Sequence, residues 1–170
     1  FNKGADGVVS ENLFSNCNVG VHVAKDKSFN HPISGNRFVI DDFYPRYPNC
    51  YEDTDTGLSY GVLCSNTLML SEISQNEFIY SKNDDLIASY GVHCSTTSTI
   101  ISKNIFTNYR NPITIIKGTK NSSVDGNEIE VNAQFTEAAG SGQVAGISIV
   151  DSEEAYITVS NNELRNNSNS

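Results

Sequence analysis

The chain has 170 residues, 38% of them hydrophobic and 18% charged, which is enough for one domain with a hydrophobic core. Its formal net charge of −9 argues against a nucleic-acid partner, because such a partner requires a basic surface. No apolar run approaches the length of a membrane-spanning helix, so membrane insertion is not expected.

Six segments of the chain repeat one pattern: an aliphatic residue, two further positions, Asn, one further position and a large apolar residue. In chain order they are VSENLF (9–14), ISGNRF (33–38), ISQNEF (73–78), ISKNIF (101–106), VDGNEI (124–129) and VSNNEL (159–164). A second element stands between successive copies and reads GVHV (20–23), GVLC (61–64), GVHC (91–94), PITI (112–115) and GISI (146–149). Both elements alternate apolar with other residues, which is the period of β-strands.

The spacing of the two elements predicts how the strands are arranged. From the second element to the next Asn the step stays between 13 and 16 residues, whereas from Asn to the next second element it ranges from 8 to 25. A repeat this short cannot bury its own apolar face, but stacked repeats can. The sequence therefore predicts an all-β fold, a single-stranded right-handed parallel β-helix of about six coils with long insertions at one turn. We expect residues 1–170 to form one such domain within a longer protein.

Equivalent positions of stacked coils should form columns along the axis. Phe14, Phe38, Phe78, Phe106, Ile129 and Leu164 form a predicted apolar column, stacked as aromatic rings over its first four members. Val23, Cys64, Cys94, Ile115 and Ile149 form a second one. Asn12, Asn36, Asn76, Asn104, Asn127 and Asn162 form a polar column at a turn, whose amides hydrogen-bond along the axis and serve the fold.

The four cysteines lack the CxxC spacing of a zinc site, and no metal or other cofactor is expected. Free thiols are the default interpretation. Cys64 and Cys94 are predicted to be reduced, buried and stacked. A disulfide between Cys17 and Cys50 stays open at this point, since both fall in the variable half of the repeat.

Together, the asparagine column and the strand pattern resemble the pectate-lyase-like superfamily of right-handed β-helices, over essentially the whole chain. In that superfamily the asparagine ladder lies at the short turn between the second and third sheets. The resemblance therefore makes the GVHV, GVLC and GVHC strands part of the first sheet. It also implies a ligand groove on the outer face of that sheet, walled by the long insertions.

The predicted floor of this groove consists of outward residues of the second element: His22, Leu63, His93, Thr114 and Ser148. Its wall begins with the longest insertion, residues 41–59, which is rich in tyrosine and proline. The tyrosine rings of this insertion suit sugar binding, although they could equally pack the insertion against the body of the β-helix. The predicted ligand-binding residues are Tyr44, Arg46, Tyr47, Tyr51, Tyr60 and Tyr90, with Tyr60 and Tyr90 one above the other.

Acidic residues cluster on the same wall. Glycoside hydrolysis needs two carboxylates, and adjacent coils would place such a pair about 5 Å apart. The predicted catalytic residues are Asp53, Asp55, Asp84 and Asp85, with His93 as a proton carrier. The competing interpretation is that these acids are ordinary turn residues or form a weak Ca²⁺ site.

Three functions are compatible with these patterns. The first is binding, with or without glycosidic cleavage, of a bacterial surface polysaccharide, as in a bacteriophage tailspike, which implies a virion or extracellular location and a homotrimer. Whether the chain is an enzyme stays open; if so, a glycoside hydrolase acting as a depolymerase is favoured over a lyase. The second is a non-catalytic structural or adhesive stalk. The third is a lyase or epimerase of an acidic polysaccharide, against which the acidic groove wall argues.

Overall fold

A computed structural model describes residues 7–24, 28–41, 58–67, 69–70, 72–81, 88–96, 98–116, 121–132, 146–150 and 156–167. These ranges contain β-strands, turns and bends but no helix. In particular, none of them holds a helix long and apolar enough to cross a membrane.

Nineteen short strands make up the described secondary structure. In chain order they are β1 (Val9–Ser10), β2 (Leu13–Ser15), β3 (Val19–Val23), β4 (Ser28–Phe29), β5 (Ile33–Ser34), β6 (Arg37–Ile40), β7 (Leu58–Thr67), β8 (Met69–Leu70), β9 (Glu72–Ser74), β10 (Glu77–Tyr80), β11 (Ala88–Thr96), β12 (Ile100–Ser102), β13 (Ile105–Thr107), β14 (Asn111–Ile116), β15 (Ser122–Asp125), β16 (Glu128–Asn132), β17 (Ile147–Val150), β18 (Ile157–Ser160) and β19 (Glu163–Asn167).

The strands form three large sheets in which every pairing is parallel. Sheet A has the order β1-β5-β9-β12-β15-β18, sheet B the order β2-β6-β10-β13-β16-β19, and sheet C the order β3-β7-β11-β14-β17. A small sheet D pairs β4 with β8. The chain passes through A, B and C in turn and then returns to A one strand further along. This path is consistent with a parallel β-helix, and the predicted all-β class with parallel pairing is confirmed.

The turn from sheet A to sheet B has two residues in every repeat, and the first of them has a left-handed backbone. This residue has φ between 53° and 65° at Glu11, Gly35, Gln75, Lys103, Gly126 and Asn161. Glycine adopts this conformation without strain, but it stands at only two of the six positions. An Asn follows this residue in all six turns, and its side chain bonds the turn to the neighbouring repeat.

The six asparagines that follow these residues are joined by side-chain hydrogen bonds along the axis. The Asn76 Nδ2 atom donates to Asn104 Oδ1 at 3.0 Å, and Asn104 Nδ2 donates to Asn127 Oδ1 at 3.0 Å. Asn104 Nδ2 also donates to the carbonyl oxygen of Ile73 at 2.9 Å. The same side-chain bond continues from Asn12 to Asn36, from Asn36 to Asn76 and from Asn127 to Asn162. The middle amides are buried, and these bonds satisfy them.

The apolar core consists of in-register columns. Phe14, Phe38, Phe78 and Phe106 stack with ring centroids 4.6–4.8 Å apart, and Ile129 and Leu164 continue their column. In sheet C, the register aligns the residues of the second column in the order Val23, Cys64, Cys94, Ile115 and Ile149. Both predicted columns are therefore confirmed.

The cysteines of the core are free thiols, as expected. Cys64 and Cys94 are fully buried, and a hydrogen bond between them, together with burial, raises the pKa of Cys64 well above its usual value. Cys17 is also a free thiol, whereas Cys50 lies outside the described residues.

Candidate functional site

The connections that lead into sheet C are the variable part of the repeat. Only residues 16–18 and 108–110 separate sheet B from sheet C in two repeats, whereas residues 41–57 and 133–146 do so in two others. All turns from A to B, by contrast, have the same length. Insertions confined to one edge of a repeat usually mark the face that contacts a ligand. Sheet C is therefore the candidate ligand-binding face.

The outer face of sheet C is defined by residues that alternate with the buried core positions. Val62 and Cys64 are fully buried, as are Val92 and Cys94, so Leu63 and His93 point outward. The register aligns the outward residues across all five strands in the order His22, Leu63, His93, Thr114 and Ser148. This is the row that the sequence predicted as a groove floor.

The strands of sheet C change face at a glycine. Ser59 and Val62 are both fully buried, and a Cβ atom on Gly61 would lie 2.6 Å from the Phe78 ring. All three positions therefore face the interior, which regular alternation does not allow. The backbone here runs directly against the phenylalanine column, so only glycine fits. The same clash would occur between Gly91 and Phe106.

This change of face brings the preceding tyrosines to the outer side of the sheet. The Tyr60 and Tyr90 rings stack with centroids 5.1 Å apart and an interplanar angle of 17°. Both rings meet the His93 ring edge-on, at centroid distances of 5.4 Å from Tyr60 and 5.0 Å from Tyr90. Tyr60 is only 8% exposed, whereas Tyr90 is half-buried. These three residues form the aromatic cluster of the outer face.

The surroundings of His93 favour the neutral form of its imidazole. Burial lowers the pKa of His93 below its ordinary value, because the charged form loses hydration. Its Nδ1 atom is buried and has no hydrogen-bond partner among the described residues. His22, two strands away in the same row, also has a pKa lowered mainly by burial, and its Nε2 atom lies 3.2 Å from Ser65 Oγ.

Thr114 adds a second polar atom without a partner beside His93. It is the register neighbour of His93 on β14, and it is 6% exposed even though it belongs to the outer row. Its Oγ1 atom makes no hydrogen bond to any described residue. Buried polar atoms are rarely left unsatisfied, and six are without a partner among the described residues. Those of His93 and Thr114 are the two that belong to register neighbours in the outward row of sheet C. The sequence placed Thr114 in the row but gave no sign of its burial.

Charge is distributed unevenly over the three sheets. The five strands of sheet C contain no Asp, Glu, Lys or Arg. Sheet B carries such residues at Arg37, Glu77, Glu128, Glu130, Glu163 and Arg165. Its outer face also holds the ion pairs Arg37–Glu77 at 2.7 Å and Arg165–Glu163 at 2.8 Å. The candidate site therefore lies on a sheet whose five described strands carry no charged side chain, in a protein of net charge −9.

Most of the predicted site residues fall outside the described part of the chain. The structure brings together His93, Tyr60 and Tyr90. The others lie outside the described residues: Tyr44, Arg46, Tyr47, Tyr51, Asp53, Asp55, Asp84 and Asp85. Within the described ranges, no group of three or more His, Cys, Asp or Glu side chains is arranged to hold a metal ion.

The described site thus combines a tyrosine stack, a neutral histidine and a buried threonine on one uncharged sheet face. Its described strand residues can offer apolar ring area and neutral hydrogen-bonding atoms to a ligand. Comparisons with protein-family models, with curated proteins and with solved structures find no match to this chain.

Proposed function

We propose that the outer face of sheet C binds a bacterial surface polysaccharide. The observation that carries this proposal is the Tyr60–Tyr90 stack with His93 at its edge. A tyrosine ring presents flat apolar area with a polar tip, which suits the apolar face of a sugar ring. Because Tyr90 is the more exposed ring, it makes the contact with the sugar, and Tyr60 supports it from the neighbouring strand.

We further propose that the chain is a right-handed, single-stranded parallel β-helix of about six coils, similar to the pectate-lyase-like superfamily and most like a tailspike. The bonded asparagines at a two-residue turn and the long connections into sheet C support this. On this proposal the chain is one segment of a larger trimeric protein. It acts outside the cell, on a bacterial surface or in a phage virion.

Cleavage of the polysaccharide is an extension of this proposal. The neutral imidazole of His93 is suited to carry a proton, but hydrolysis also needs two carboxylates. The strands of sheet C supply none. The candidates in the connections that enter sheet C are Asp53, Asp55, Asp84 and Asp85. The described residues therefore support binding more directly than cleavage.

The test is incubation of the protein with a panel of bacterial capsular and O-antigen polysaccharides, followed by size-exclusion chromatography. Co-elution of one polymer with the protein supports binding, and its conversion to short oligomers supports a depolymerase. In the second case, each of the four aspartates and His93 would be replaced by alanine in turn. If no polymer co-elutes or shortens, the proposal fails.

A structural role is the second candidate, and the continuity of the interior favours it. The bonded asparagines run through all six repeats, and the column of four stacked phenylalanines is continued by Ile129 and Leu164, which together make a stiff rod. Such a stalk needs no site on sheet C. If the chain is only a stalk, replacement of Tyr90 by alanine should leave its binding properties unchanged. If sheet C binds a carbohydrate, the same replacement should lower the affinity for it.

A further inference from the structure

We infer that the ligand of the sheet C face is an uncharged glycan, held by neutral hydrogen bonds at His93 and Thr114 beside the Tyr90 ring. This inference rests on the proposed function and names the class of polysaccharide. It excludes the acidic polymers on which lyases and epimerases act. Three observations carry it: the charge of the face, the two unpaired polar atoms and the position of the nearest described cation.

The first observation is the absence of charge from the five strands of sheet C in a protein of net charge −9. A glycan with carboxylates would approach an acidic protein against repulsion. At the sheet face it would also lose part of its hydration without meeting a cation in the strands to compensate. An uncharged glycan meets neither cost. The strands of sheet C thus disfavour a polyanion on two separate physical grounds.

The second observation is that two buried polar atoms, His93 Nδ1 and Thr114 Oγ1, have no hydrogen-bond partner among the residues that the structure describes. They belong to register neighbours, and Thr114 is more than nine-tenths buried. A neutral imidazole nitrogen and a hydroxyl can each donate or accept, which matches the dual character of sugar hydroxyls. Because both atoms are covered, a sugar hydroxyl reaches them through a bridging water or after a small side-chain shift.

The third observation concerns Arg110, the described cation next to this face. It precedes β14, and its backbone nitrogen donates to Ser89 Oγ at 3.0 Å, so it lies close to Tyr90 along the sheet edge. Arg110 is the described residue that a carboxylated ligand would use. Among the described residues, the side chain of Arg110 thus separates the two ligand classes: an acidic glycan bound beside Tyr90 would gain affinity from its charge, and an uncharged glycan would not.

The test uses an array of bacterial polysaccharides with neutral and with acidic repeating units. Each acidic polymer is also presented after reduction of its carboxylates to primary alcohols, which leaves the linkages unchanged. We expect the protein to bind neutral polymers, or to bind an acidic polymer equally well before and after its carboxylates are reduced. In either case the Kd should change by less than about twofold between 50 and 500 mM salt. Binding that disappears on carboxylate reduction overturns this inference and leaves the proposed function standing. Binding to no polymer overturns both.

Variants of the protein test the residues themselves against a bound neutral polymer. Thr114→Val keeps the shape but removes the hydroxyl, and we expect it to raise Kd about tenfold, the equivalent of one hydrogen bond. Thr99→Val is the matched control, because Thr99 is also buried with an unpaired Oγ1 but precedes β12 in sheet A. Arg110→Gln should leave Kd unchanged. An unchanged Kd for Thr114→Val, or a loss of binding in Arg110→Gln, contradicts the assignment.

Discussion

The Tyr60 ring lies on the Tyr90 ring with their centroids 5.1 Å apart, and the edge of His93 closes against both. Neither tyrosine belongs to the hydrophobic core cluster, although Tyr60 is buried, since the chain changes face at the glycine that follows each one. The position of the stack on the outer side of the sheet thus follows from packing in the interior. The phenylalanine column requires a glycine, and this glycine turns the tyrosine outward.

Replacement of Tyr90 by alanine should weaken polysaccharide binding by about fivefold. The stacking contact between an aromatic ring and its partner contributes about 1 kcal/mol, and the variant removes the more exposed ring of the pair. Titration of the protein with the polymer identified by the panel measures the change. Tyr156→Ala is the control, because Tyr156 is 82% exposed and precedes β18 in sheet A. Equal losses in the two variants would argue against a site on sheet C.

Replacement of Asn104 by aspartate should lower the free energy of unfolding by at least about 3 kcal/mol. The new carboxylate oxygen would face Asn127 Oδ1 and the Ile73 carbonyl oxygen, where Nδ2 now donates two bonds in a buried position. Urea unfolding followed by circular dichroism measures the change. Asn12→Asp, at the exposed end of the same column, should cost less than about 1 kcal/mol. A similar cost at both positions would mean that burial of the column is unimportant.

Replacement of Gly61 by alanine should be more damaging than replacement of Gly126. The Cβ atom at Gly61 would lie 2.6 Å from the Phe78 ring and 2.7 Å from the Gly91 carbonyl oxygen, neither of which can move freely. We expect a loss of about 3 kcal/mol from overpacking. At Gly126 the nearest atom is 3.8 Å away, so alanine there costs only the left-handed backbone, about 1 kcal/mol. Thermal and urea unfolding of both variants decide the order.

The Thr114→Val variant should be more stable than the parent protein by about 1 kcal/mol, in contrast to its expected loss of affinity. Removal of a buried hydroxyl without a partner removes its desolvation cost. Thr99→Val should gain a similar amount without any change in binding. Urea unfolding of the two variants checks the prediction. A loss of stability in Thr114→Val would show that its hydroxyl is satisfied in solution.

Acid should destabilise the protein partly through His93. Burial lowers the pKa of this residue in the folded state, so the unfolded chain takes up a proton first as the pH falls. The stability that depends on neutral His93 is therefore fully present above the unfolded pKa of about 6.5 and is lost as the pH falls towards the folded pKa. His93→Gln should lose less stability than the parent between pH 7.5 and pH 5, as measured by urea unfolding. Parallel losses in both proteins would contradict a buried neutral imidazole.

The columns of the fold could be predicted because residues at the same position of successive repeats become neighbours when the repeats stack. In parallel in-register strands, equivalent residues of successive repeats must lie next to each other. Hence Phe38 could be placed on Phe78, Cys64 beside Cys94 and Tyr60 on Tyr90, and all three contacts are present. The three parallel sheets and the variable connections into sheet C follow from the same reasoning.

The environment of the site could not be predicted in this way. Strict alternation predicts that Ser59 and Val62 face opposite sides of the sheet. They face the same side because the backbone at Gly61 lies against the Phe78 ring. Likewise, the alternation of the strand predicts that Thr114 is exposed, yet it is buried.

The repeat pattern thus specifies which residues stack, since each repeat matches the repeat on which it lies. The side of sheet C that the tyrosines occupy, the burial of His93 and Thr114 and the polar atoms without a described partner depend on the packed fold. These properties depend on distances between repeats and on side-chain volumes across the core, and no periodicity within one strand encodes them.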